Sequence, residues 1–148
     1  SRQGNVSSAI ERAERALALN SESSDMLALL GELHWKRGEP AVAKRYWEQA
    51  LELEPQKAKT LSNLALACWI EGQRQRAVEL WREATRSPEA PAETWVNLAR
   101  AYEQLGETAR ARRVYRELLG REDADPAHRQ QARERLRSLG EGLMNDPS

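Results

Sequence analysis

Residues 26–55, MLALLGELHWKRGEPAVAKRYWEQALELEP, align without a gap to the stretch 34 positions on, and again to the stretch 34 beyond that. Four columns carry the register: Leu30, Leu64 and Leu98; Gly38, Gly72 and Gly106; Ala43, Ala77 and Ala111; and the rings Trp47, Trp81 and Tyr115. Self-similarity at a fixed period of a few tens of residues constrains the fold strongly. A unit of that size cannot bury its own apolar face, so units stack along one direction and share a continuous core. The chain is therefore expected to form a solenoid and not a domain closed around one centre.

Each unit reads helix, turn, helix. In the first, Leu27, Leu30, Gly31, Leu33 and His34 recur at helical spacing over about 24–37. Gly38 supplies the left-handed position that ends a helix, and Pro40 opens the next one, where no intrahelical N–H bond is lost. Ala43, Trp47, Ala50 and Leu51 form the second apolar stripe, and Pro55 stops it. The second unit repeats the pattern with Leu61, Leu64, Ala65, Cys68, Gly72, Ala77, Trp81 and Ala84, and the third with Trp95, Leu98, Ala99, Tyr102, Gly106, Ala111 and Tyr115. Gly31, Ala65 and Ala99 are expected to face Ala43, Ala77 and Ala111 where paired helices cross closely. The rings at Trp47, Trp81 and Tyr115 are expected to fill the wedge toward the following unit.

Residues 5–20 form a further predicted helix, whose Ala9, Ala13 and Ala16 fall in the columns of Ala43, Trp47 and Ala50. It reads as the second half of a unit that begins upstream. Its exposed apolar edge would then favour self-association. The divisions expected are this helix, units at 24–57, 58–91 and 92–125, a capping helix at 126–139 with Arg129, Arg133 and Arg137 on its polar side, and a tail over 140–148.

The unit resembles the tetratricopeptide repeat, W-x2-L-G-x2-Y, A-x3-F and P at a period of 34. The first unit gives Leu27-x2-Leu30-Gly31-x2-His34, Ala43-x3-Trp47 and Pro55; the third gives Trp95-x2-Leu98-Ala99-x2-Tyr102 and Ala111-x3-Tyr115. His34 and Cys68 stand where Tyr is usual, and the closing prolines are displaced to Pro88 and Pro126. The resemblance implies an all-α, right-handed α-solenoid of antiparallel helix pairs. It also implies a non-enzymatic scaffold that binds a peptide or helix of a protein partner in a concave groove lined by the first helices.

On those helices, six residues left over from the packing stripe form the candidate partner site: Trp35, Asn63, Leu66, Trp69, Asn97 and Arg100. Trp and Arg favour interface hot spots, and Asn amides can both donate to and accept from an extended backbone. Ala28, Glu32, Ile70, Glu93, Val96, Glu103 and Gln104 fall on the same face. One variant of the family clamps a C-terminal carboxylate with Lys, Asn and Arg. Here Ala28, Glu32, Glu93 and Asn97 occupy those places and only Asn63 fits, so that chemistry is not expected.

Other classes find little support. Basic and acidic residues number 23 each, which argues against wholesale electrostatic binding to nucleic acid or an anionic membrane. No apolar run approaches the roughly 20 residues of a membrane span. A lone Cys68 excludes an internal disulfide and suits a reducing, cytoplasmic setting without excluding others. His34 and His128 lack companions at metal or catalytic spacing, so no cofactor, metal or catalytic residue is expected. The alternative reading is a nucleic-acid or acidic-partner surface on the convex side, because residues 108–139 hold nine Arg against five acidic residues, with Arg110, Arg112, Arg113 and Arg116 at its centre.

Overall fold

The computed structural model describes residues 2–140. Among them are eight helices and no strand: α1 Arg2–Leu19, α2 Ser24–Lys36, α3 Pro40–Leu53, α4 Ala58–Ile70, α5 Arg74–Ala84, α6 Ala92–Gln104, α7 Thr108–Leu119 and α8 Pro126–Ser138. The tail expected over 140–148 lies, beyond Gly140, outside the described residues.

The helix ends follow from local chemistry. Gly38, Gly72 and Gly106 have φ of 83°, 87° and 77°. That turn lets the amides of Glu39, Gln73 and Glu107 reach back to the carbonyls of His34, Cys68 and Tyr102 at 2.9, 2.8 and 2.8 Å. These are the carbonyls a helix C-terminus otherwise leaves unpaired. Ser23 caps α2 by accepting from the Met26 amide, and Asp125 caps α8 by accepting from the His128 amide.

Helices pair as hairpins, α2 with α3, α4 with α5 and α6 with α7, and each hairpin stacks on its neighbours in sequence. Leu30, Leu64 and Leu98, the Ala43 column and the Trp47 column are all buried. Trp47 joins Leu61, Leu64 and Trp81 in the main core, while Leu30 and Leu33 turn back onto Ile10 and Ala13 of α1. Each hairpin thus closes the face left open by the one before. Of the apolar edge expected on α1, Leu19 is the one large hydrophobic side chain left exposed, with Val6, Ala9 and Leu17 half-buried.

Two packing details go beyond the columns. Gly31 lies against the Trp47 indole. That ring donates from Nε1 to the Ala28 carbonyl at 3.2 Å, whereas the matching Trp81 Nε1, in the unit that carries Ala65, is buried without a partner. Arg129 of α8 is not on a free polar face. It donates to the carbonyls of Leu119, Arg121 and Ala124, tying α8 to the turn before it. Ala132 and Leu136 seal the end of the core.

Candidate functional site: the face of the first helices

The groove face is built by α2, α4 and α6. Trp35 and Trp69 sit one position after the buried His34 and Cys68, in the last turn of their helices. Each half-buried ring packs inside its own hairpin: Trp35 on Trp47 with centroids 5.8 Å apart, Trp69 on Trp81 at 6.1 Å. The outer side of Trp69 carries the Arg74 guanidinium, 4.9 Å from the ring centroid, a cation–π contact. Ile70 beside it is 63% exposed.

Four of the six candidate residues converge. Leu66 and Trp69 of α4 and Asn97 and Arg100 of α6, with Trp81, Ala101 and Gln104, line a recess of about 210 Å³. Its walls combine an apolar floor, two amides and one guanidinium. Trp35 and Asn63 lie on the same run of helices but outside this recess. Trp81 and Ala101 belong to packing columns and gave no separate signal in the sequence.

Two residues expected on the open face are not there. Val96 is buried in the core. Its column, Ala28, Ser62 and Val96, lies at the seam between successive first helices, where Thr94 of α6 donates to the Ser62 hydroxyl at 3.3 Å. A second tie across such a seam joins Lys59 of α4 to Glu32 of α2 at 3.1 Å. Glu103 is covered by α8: it accepts from the Tyr115 hydroxyl at 2.6 Å and pairs with Arg135. Burial works to raise its carboxyl pKa, but the bonds from Arg135 and Tyr115 outweigh this and hold it below the ordinary value. Burial, then the bond to Glu103, pushes the Tyr115 phenol well above its usual range, so it remains a donor.

Each histidine pairs through Nδ1 with a carboxylate of its own chain. His34 is buried, stacks on Tyr46 with centroids 5.3 Å apart and places Nδ1 3.1 Å from Glu39. His128 places Nδ1 2.9 Å from the Asp125 carboxylate. Cys68 is fully buried, which pushes its thiol pKa up. Among the described residues, no group of three or more His, Cys, Asp or Glu could hold a metal ion. Nor is any helix there long and apolar enough to cross a membrane.

The arginines of 108–139 are largely engaged within the fold. Arg112 donates to the Leu139 carbonyl at 3.0 Å, Arg121 lies 4.0 Å over the Trp95 ring, and Arg129 and Arg135 make the bonds described above.

Stacked two-helix hairpins with a lined face along the first helices define a helical-repeat solenoid of the kind that presents a binding surface. A family model described as tetratricopeptide repeat matches residues 1–131, and the chain belongs to that family. Its repeats are in general non-catalytic scaffolds for protein–protein interaction. Among curated protein sequences, none matches the chain. Two solved structures of MamA share the fold. One has a TM-score of 0.79 at 20% identity over 96% of this chain and 81% of that one; the other has 0.72 at 17% over 99% and 90%. PilF of Pseudomonas aeruginosa has a TM-score of 0.79 at 22% identity, over 96% of this chain and 65% of its own.

Proposed function

We propose that this chain is a non-enzymatic scaffold that holds a peptide or helix of a partner protein along α2, α4 and α6, centred on the recess between α4 and α6. The observation that carries the reading is the convergence of Leu66, Trp69, Asn97 and Arg100 on one hollow. The packing columns leave Asn97 and Arg100 unassigned, and both remain at least partly accessible. The recess supplies apolar area with donors and acceptors beside it, which is what a polypeptide segment needs when it leaves water.

Self-association through α1 would rest on Leu19 and three half-buried neighbours. It is not part of the proposed role. A free basic surface over 108–139 is disfavoured by the engagement of Arg112, Arg121, Arg129 and Arg135.

The test starts with peptides selected from a random display library against the wild-type chain. Their affinities are then measured for Asn97→Ala/Arg100→Glu, which leaves the core intact, and for Trp69→Ala. A hot-spot loss of about 2 kcal/mol, or about thirtyfold, is expected for Trp69→Ala. Unchanged affinity of every selected peptide for the Asn97→Ala/Arg100→Glu protein, with its helicity intact, would count against the groove.

A further inference from the structure

The second helices carry a recess of their own. Arg82 of α5, Thr85 and Arg86 just beyond its end, and Arg110, Arg113, Val114 and Glu117 of α7 enclose about 330 Å³ over Leu98 and Tyr102 of α6. Four guanidinium groups and one carboxylate line it.

The repeat provides an internal control on why those residues are there. One unit earlier, the columns of Arg82, Arg86, Arg110, Arg113 and Glu117 hold Glu48, Glu52, Arg76, Glu79 and Glu83. The same repeat columns therefore carry four glutamates and one arginine in one unit, then one glutamate and four arginines in the next. The lining charge moves from −3 to +3 while the hairpin packing is kept. Folding does not require arginine in the columns of Arg82, Arg86 and Arg113, where the preceding unit carries glutamate, and clustering like charges opposes it. Among the described residues, the guanidinium groups of Arg82 and Arg113 make no ion pair, whereas Arg86 pairs with Glu83 at 3.2 Å and Arg110 with Glu107 at 2.9 Å.

We infer that this recess is a second docking site, for a short acidic segment of a partner polypeptide. The fork of a guanidinium matches a carboxylate with two parallel hydrogen bonds. Arg82 stands in the last turn of α5 and Arg86 in the turn that follows it, so the two forks come from adjoining stretches of backbone. The length of the basic patch favours a short acidic stretch over a nucleic acid. Upstream along the second helices it meets Glu48, Glu52 and Glu79, and toward α8 the guanidinium groups of Arg112 and Arg129 are bound to backbone carbonyls of the fold. An extended phosphodiester backbone crossing this face would meet those glutamates. The acidic patch of a second copy is a poorer occupant, because its Glu48 and Glu83 are already paired with Arg76 and Arg86.

The experiment uses the whole chain and a fluorescein-labelled peptide of alternating Glu and Ser, read by anisotropy at low salt. The variant Arg82→Glu/Arg113→Glu installs the residues that the preceding unit carries in the same columns. The control Arg133→Glu/Arg137→Glu makes the same change of net charge at exposed positions of α8. The inference predicts an affinity loss of about tenfold or more for the recess variant and a change within about twofold for the control. Equal losses in both variants, or no binding by the wild type, overturn it. So does a single-stranded DNA oligonucleotide of equal charge that binds more tightly through the same two arginines. The groove variant Asn97→Ala/Arg100→Glu should keep its affinity for the Glu-Ser peptide, which separates failure here from failure of the groove reading.

Discussion

Gly31 lies so close to Trp47 that a Cβ built on the glycine would sit 2.8 Å from the indole Cε2 and nearer still to Nε1. The missing methyl group lets the ring approach α2 and donate to the Ala28 carbonyl. The second unit has Ala65 in this column, and its Trp81 Nε1 is buried without a partner. Gly31→Ala gains about 1 kcal/mol of helix propensity, but it displaces the ring and strands a buried donor at a cost of about 1–3 kcal/mol. A net destabilisation of about 1 kcal/mol is expected in urea unfolding. A stabilised variant would contradict the packing described.

The turn glycines give a sharper comparison. Gly72 has φ of 87°, a region that costs an L-residue about 1–2 kcal/mol. A Cβ there meets nothing within 4 Å, so the expected cost of Gly72→Ala is conformational alone. Gly120 has φ of −76°. Gly72→Ala should lower the melting temperature by several degrees, and Gly120→Ala should leave it nearly unchanged. Equal effects would be inconsistent with this account of the turns.

Acid should release α8 from α6. The Glu103 pKa is depressed below its ordinary value of 4.5 by Arg135 and the Tyr115 hydroxyl acting against burial. A carboxylate with a lowered folded pKa contributes stability that is fully present above its unfolded value and lost as pH falls through the folded one. The stability advantage of wild type over Glu103→Gln should therefore be constant from neutral pH down to about 4.5 and shrink below it. An advantage that persisted undiminished in stronger acid would show that the carboxylate charge is not what holds the contact.

Three in-register copies make the helices, turn glycines and buried columns legible in the sequence alone, because each column carries its residue type three times. What escaped the sequence lies where the copies differ. Arg74 covers Trp69, yet its column holds Pro40 and Thr108 in the other units, so periodicity gave no hint of the contact. Glu103 looked like a groove residue because α8 departs from the repeat, and its docking on α6 could not be read by shifting the register. Val96 was misplaced for another reason: the seam between successive first helices is a relation between units, which a helical wheel of one unit does not contain. For the candidate site, spacing placed its residues on one face. It did not reveal that Leu66, Trp69, Asn97 and Arg100 share a recess while Trp35 and Asn63 stand apart.

The most direct test of the groove uses the indole N–H signals of the five tryptophans, Trp35, Trp47, Trp69, Trp81 and Trp95, in a nitrogen–proton NMR spectrum. Trp69 and Trp81 line the recess, whereas Trp47 and Trp95 are buried elsewhere in the core. On titration with a display-selected peptide, the Trp69 and Trp81 signals should move together and saturate at the affinity measured by anisotropy, with Trp47 and Trp95 unmoved. Saturable binding that shifts Trp95 and leaves Trp69 and Trp81 in place would put the partner on another face and contradict the proposed function.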